Sequence, residues 1–192
     1  MIQYTRLDKL SEFFRKEEDI MSEVIQTIKD RRSCRKYKDT MIPKEDISEI
    51  IEAGLYAASG MGRQSTIILA ITDKKVRDQL SKMNASIMNS NNDPFYGAPV
   101  VLVVLADKNV PTAIYDGSLV MGNLMLAAEA KGIGSCWIHR AKEEFESEEG
   151  KDLLKQLGIE GEYVGIGHCI LGYVDGEKIK AAERKENRVY WL

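Results

Sequence analysis

Pro99-Val100-Val101-Leu102-Val103-Val104-Leu105 is the most continuous apolar stretch of this 192-residue chain, and its reading decides how the rest is organised. An unbroken run of β-branched and leucine residues reads as a strand buried on both faces, with no polar side to offer solvent. At its widest, Ala98 to Ala106, it is half of the roughly 20 residues that would cross a bilayer, so it is a core strand. A long helix follows from about Thr112 to Lys131, where Gly117, Ser118 and Gly122 are small enough to permit close helix approach. Gly132-Ile133-Gly134 ends that helix and opens a strand through Ile138. A further helix is expected over about Glu143 to Leu157, a strand over Tyr163 to Tyr173, and a short strand-like segment over Arg188 to Leu192.

Upstream of the central run, Pro43 opens a helix with Ile47, Ile50, Ile51, Gly54 and Leu55 at helical spacing, ending near Ala57. The glycine-punctuated loop Ser59-Gly60-Met61-Gly62-Arg63-Gln64 then delivers the chain into a strand over Thr66 to Ile71. Asp73 is placed to cap the next helix, through about Met83. Residues 84 to 97, rich in Asn, Ser and Gly with Pro94 inside, read as a long surface loop of the kind that serves as a lid. Two short helices precede all of this, Leu7 to Glu18 and Met21 to Asp30. Leu7, Leu10, Phe13 and Phe14 form a docking stripe on the first; Val24, Ile25 and Ile28 are spaced for one buried face on the second. Residues 1–20 are therefore expected to be a helical extension, with Met21 an alternative start, and 21–192 a single domain. Gly-rich connections and a lone terminal strand favour an α+β sheet packed by helices over a doubly wound fold.

A net charge of −3 argues against a general nucleic-acid binder, which needs surplus Lys and Arg, and 44 % hydrophobic residues are too many for a disordered chain. The first residues carry Arg and Glu where a signal peptide needs an apolar stretch, so a cytoplasmic location is expected, with no membrane partner. Cys34, Cys136 and Cys169 form no C-x-x-C pair and read as free thiols. A zinc site from Cys136, His139, His168 and Cys169 is disfavoured, because adjacent residues on a strand point to opposite faces.

Arg31-Arg32-Ser33-Cys34-Arg35-Lys36-Tyr37-Lys38 gathers five cations and a hydroxyl within eight residues of an acidic chain. Taken alone, the run reads first as a solvated basic turn complementing a helix dipole. Its second reading is a phosphate site, because guanidinium forks and a serine hydroxyl suit a dianionic phosphate. Gly60-x-Gly62-x-x-Ser65 is a near miss to a dinucleotide fingerprint, but it follows a helix and precedes a strand, the reverse of the required order.

The basic run belongs to an ordered set. Arg31 to Tyr37, Pro43-Lys44-Glu45-Asp46-Ile47 and Ala57 to Gln64 come in turn. They are followed by Phe95-Tyr96-Gly97-Ala98-Pro99, the helix from Asp116 to Ala128, Lys131 to Ile138, and Leu171-Gly172-Tyr173. From about Val24 onward this set resembles the nitroreductase family. The resemblance implies a nitroreductase-like fold, with a mostly antiparallel or mixed sheet, and FMN held at the interface of a homodimer whose C-terminal segments are exchanged. It implies that Arg31, Arg32 and Ser33 meet the flavin phosphate, that Arg35 lies near the pyrimidine edge, and that Asn84 reads that edge. Ser59 and Gln64 would reach the ribityl chain and ring from the second subunit, and Arg184-Lys185 would close over the phosphate.

Trp137-Ile138-His139-Arg140 matches the segment beside flavin N5, where a main-chain N–H donates to that atom. His139 and Arg140 depart from the Glu-Gly of some members, so the role carried over is the backbone's. Gly62 stands where several members have Asn, and Ser65-Thr66 replaces a common Pro-Trp. The implied activity is reduction of a small acceptor (a nitroaromatic, a quinone or an unsaturated metabolite) by NAD(P)H in a ping-pong cycle through flavin N5, with no side-chain acid or base required. The rival readings are a flavin-consuming or dehalogenating member of the family, a non-catalytic flavin binder, and an interaction module using its N-terminal helix.

Overall fold

The computed structural model describes residues 23–192. The expected first helix and the possible start at Met21 lie outside them. The chain divides into two compact units, Arg32–Lys180 and a smaller one whose described parts are 23–31 and 181–192. In the smaller unit, residues 23–30 are helical. Val24, Ile25 and Ile28 are spaced as expected but are 50–59 % exposed rather than buried. Helical spacing defines a face without saying what covers it. Residues 188–192 join no ladder, because a strand needs a hydrogen-bonding neighbour, and Tyr190 and Trp191 are 81 % and 92 % exposed.

In the larger unit the elements are α1 (Lys44–Leu55), β1 (Thr66–Ile71), α2 (Lys74–Ile87), β2 (Val100–Asp107), α3 (Ala113–Ala130), β3 (Gly134–Ile138), α4 (Ala141–Glu146), α5 (Glu148–Gln156) and β4 (Tyr163–Gly172). The sheet order is β1-β2-β4-β3, and every strand pair is antiparallel. The fold is α+β.

β2 lies inside the sheet and is buried on both faces, which is why its sequence does not alternate. Val100, Leu102, Val104 and Ala106 face a core closed by Ile47 and Ile50 of α1 and by Met121 and Leu124 of α3. Val101, Val103 and Leu105 face a second core with Leu80 of α2 and Phe145 of α4. Asp73 caps α2 as expected, accepting from the Lys75 and Val76 N–H groups.

Glycine lets α3 lie close on the sheet. A methyl group added at Gly117 would come within 2.4 Å of the Ile166 side chain. Gly122 and Ser118 are on the other side, with open space around Gly122 and Ser118 half-buried. That outer face also carries Ile114, Tyr115 and Leu119, all at least half exposed.

Two boundaries depart from expectation. The segment read as one helix over Glu143–Leu157 is broken at Ser147, whose extended backbone ends α4 and whose hydroxyl accepts from the Gly150 N–H to start α5. Gly150 permits the break, since any Cβ there would strike the Glu144 carbonyl at 2.1 Å. α2 also runs on to Ile87, past the point where the polar loop was expected to begin, because Leu80, Asn84 and Ala85 keep a buried face to its end.

The remaining loop is anchored tightly. Asp93 accepts from Arg77 Nη2 at 2.5 Å, Ser81 Oγ at 2.6 Å, and the Phe95 and Gly97 N–H groups at 2.9 and 2.7 Å. Burial works to raise the Asp93 pKa, but these donors outweigh it and hold the carboxyl below its ordinary range.

Candidate functional site

The basic segment packs along the β3 edge. Ser33 bridges to Ser135, the Cys34 N–H donates to the Ser135 carbonyl at 2.8 Å, and Tyr37 bridges to Val174. The Tyr37 hydroxyl donates to the Cys34 carbonyl at 2.8 Å, bracing the turn from within. Burial, reinforced by the neighbouring Cys34 thiol, raises the Tyr37 pKa far above the phenol range, so this hydroxyl stays a donor.

Arg32, Ser33 and Arg35 line a cleft of about 500 Å³ that is also lined by Gly132-Ile133-Gly134 and Val174 to Ile179. That volume lies within the roughly 300–1,000 Å³ of small-molecule sites. Acidic residues also line it, but each of two is paired with a lysine: Lys36 with Asp175 at 2.7 Å, and Lys178 with Glu129.

The other expected site residues lie in separate places. Ser59 and Gln64 belong to the 59–65 loop, where Ser59 Oγ accepts from the Gln64 N–H at 3.0 Å. Met61, Gly62 and Gln64 all adopt positive φ, at 56°, 66° and 49°. This loop is clamped by Asp116 of α3, which is 3 % exposed and was not among the expected site residues. Its carboxylate accepts from the Gly60 N–H and the Thr112 hydroxyl, both at 2.9 Å, and from Ser65 Oγ at 3.5 Å. A lone acid inside the apolar helix sequence Ala113-Ile114-Tyr115-Asp116-Gly117 was the signal that could have found it.

Ile138, His139 and Arg140 form the exit of β3. Ile138 is buried and pairs with His168; His139 is exposed. Arg140 sits in the left-handed region at φ 78° and caps α4. Asn84, expected at the pyrimidine edge of a ligand, is instead completely buried, with Nδ2 donating to the His139 carbonyl at 2.8 Å. Below the same turn, His168 Nε2 and Glu144 Oε2 meet at 2.8 Å, both side chains fully buried. His168 lies beside Phe95 while Cys169 belongs to the opposite core, as strand alternation requires. In the smaller unit, Arg31 closes the helix, its N–H donating to Thr27, and Arg184 donates to the nearby Ala182 carbonyl. Lys185 is exposed.

The chain belongs to the nitroreductase family, whose model matches residues 28–173. It is 33 % identical over 163 residues to an Archaeoglobus fulgidus protein provisionally named as an NADH dehydrogenase/NAD(P)H nitroreductase, covering 82 % of this chain and 89 % of that one. It is 27 % identical over 138 residues to a Bacillus subtilis FMN reductase [NAD(P)H]; that match covers 60 % of this chain and 53 % of the relative. Among solved structures, a Bacteroides fragilis nitroreductase with bound FMN superposes with a TM-score of 0.81 at 28 % identity, covering 88 % of this chain and 98 % of that one.

Proposed function

We propose that this protein is an FMN-dependent oxidoreductase that uses NAD(P)H to reduce a small organic acceptor, a nitroaromatic or a quinone. The observation that carries the reading is the cleft bearing Arg32, Ser33 and Arg35. Its donor set of two guanidinium groups and a hydroxyl fits a phosphate monoester. Its size fits a small cofactor, and the matching B. fragilis structure holds FMN. When bound, FMN supplies the redox chemistry, taking a hydride at N5 from NAD(P)H and giving it to the acceptor in a ping-pong sequence.

The chain's own residues bind and orient. Arg32 and Ser33 hold the phosphate; Arg35 places positive charge near the pyrimidine edge; the backbone of Ile138 to Arg140 faces the reacting edge. No side-chain acid or base is required.

The active form in this reading is a homodimer. Ile114, Tyr115 and Leu119 of α3, with Leu55, Tyr56 and Met61, expose large apolar groups that a second subunit would cover. Such pairing also lets Ser59 and Gln64 reach the partner's flavin and lets the 188–192 segment exchange. Residues 1–20 are an extension to one FMN-binding domain, and the protein works in the cytoplasm.

The absorption spectrum of freshly purified protein, followed by steady-state NAD(P)H oxidation with a quinone, tests the proposal. A flavin spectrum and turnover are expected. Colourless protein that takes up no FMN in a titration would refute it, and bound FMN without turnover would leave a flavin-binding protein. Arg32→Ala is expected to weaken FMN binding by roughly 1.5–3 kcal/mol, the value of a charge-assisted contact. Leu119→Lys is expected to shift sedimentation from dimer to monomer.

A further inference from the structure

Asn84 has no exposed surface, yet it keeps a polar side chain on the buried face of α2, with its Oδ1 buried and unpartnered among the described residues. A buried acceptor without a partner is costly, so an apolar residue of similar size would pack there more favourably unless the donor half of the amide is used. It is used once, on the His139 carbonyl at 2.8 Å. That contact also fixes the amide's orientation, because a carbonyl oxygen can take a hydrogen bond only from the NH2 group.

A trans peptide is planar, with its C=O and N–H pointing in opposite directions. The His139–Arg140 peptide is trans, so gripping the His139 carbonyl inward turns the Arg140 N–H outward. Among the described residues, no acceptor takes that N–H. The following peptide is fixed as well, since the Arg140 carbonyl accepts from the Glu144 N–H at 3.1 Å in the first turn of α4. The outward N–H is therefore held from both sides, and Arg140 adopts φ 78° to allow it.

We infer that Asn84 is a positioning residue: from inside the core it orients the His139–Arg140 peptide so that the Arg140 N–H is presented to the bound flavin ring. The inference rests on the FMN reading above and replaces the expectation that Asn84 touches the cofactor itself. An N–H donated to flavin N5 favours the oxidised ring, because N5 accepts a hydrogen bond when oxidised and carries its own hydrogen when reduced. Losing that orientation should raise the flavin's midpoint potential and slow hydride transfer from the reduced flavin to the acceptor roughly tenfold, the effect of one modest hydrogen bond on a barrier.

The test compares wild-type holoenzyme with Asn84→Ala and with Asn84→Leu, which preserves the buried volume if the smaller substitution fails to fold. A more positive midpoint potential in the variants, with KM for the nicotinamide unchanged and hydride transfer to the acceptor slowed, is expected. On the wild-type protein alone, FMN titration should move the Arg140 backbone amide resonance downfield. An unchanged Arg140 amide on saturation, or variants that bind FMN with wild-type potential and rate, would overturn the assignment while leaving the FMN reading intact. Wild-type protein that takes up no FMN would instead fail the underlying reading, and this assignment with it.

Discussion

The 59–65 loop and the 138–140 turn both hold non-glycine residues at positive φ, and they are secured by opposite means. In the loop the strained positions, Met61 and Gln64, flank a glycine, and the anchor is an ionisable side chain, Asp116, with bonds to Gly60, Ser65 and Thr112. In the turn there is no glycine, and the anchor is a neutral amide buried completely. The loop's clamp comes from the first turn of α3, whose outer face is exposed, so its geometry is tied to the surface proposed for the subunit interface. The turn's clamp comes from the interior and is insulated from that surface. In the proposed dimer the first anchor would respond to association, whereas the second is fixed within the core.

Breaking the loop's anchor should produce the largest effect. Asp116→Ala removes a buried carboxylate that serves three donors and is expected to cost about 2–3 kcal/mol in urea unfolding. Asp116→Asn should cost less, because one carbonyl oxygen remains.

The 93–98 loop extends the comparison to pH, being anchored by a carboxylate whose pKa is depressed. A depressed pKa means that the stabilisation is complete above the unfolded value, about 3.9, and fades as pH falls from there through the folded value. Asp93→Asn is expected to flatten that acid limb in melting experiments and to cost roughly 1–2 kcal/mol at neutral pH, as charge-assisted bonds become neutral ones.

The smallest effect is expected at the turn. Arg140→Gly relieves a left-handed residue, worth roughly 1–2 kcal/mol, against glycine's greater unfolded entropy of roughly 0.5–1 kcal/mol. A gain of about 1 kcal/mol or less in the melting curve should result. A loss would mean that the Arg140 side chain makes a stabilising contribution larger than the strain.

What sequence reading captured, and what it missed, follows from the range of each signal. β1 runs over Thr66–Ile71 as its β-branched residues indicate, and Asp73 caps the next helix, because a strand and an N-cap are written in neighbouring residues. The basic run was legible for the same reason, and Arg32, Ser33 and Arg35 do share a cleft. Asn84 was visible only as one more polar residue before a loop. Its true partner lies 55 residues away, and nothing local says that it points inward. Glu144 and His168, 24 residues apart, were likewise unreadable as a pair. The helix break could have been read: Ser147 followed by Glu148, Glu149 and Gly150 is a capping residue with an acidic first turn. Arg140 could not, because a left-handed arginine is imposed by its surroundings.

The two tryptophans of this chain occupy contrasting surroundings, and that gives it an internal pair of optical probes. Trp137 packs so closely on Gly167 that a Cβ there would fall 2.1 Å from its indole nitrogen, whereas Trp191 is 92 % exposed near the terminus. Emission from the first, half-buried, should be bluer and less readily quenched than emission from the second. Titrating protein concentration while watching iodide quenching would then reveal whether the tail is covered on association, without attaching any label.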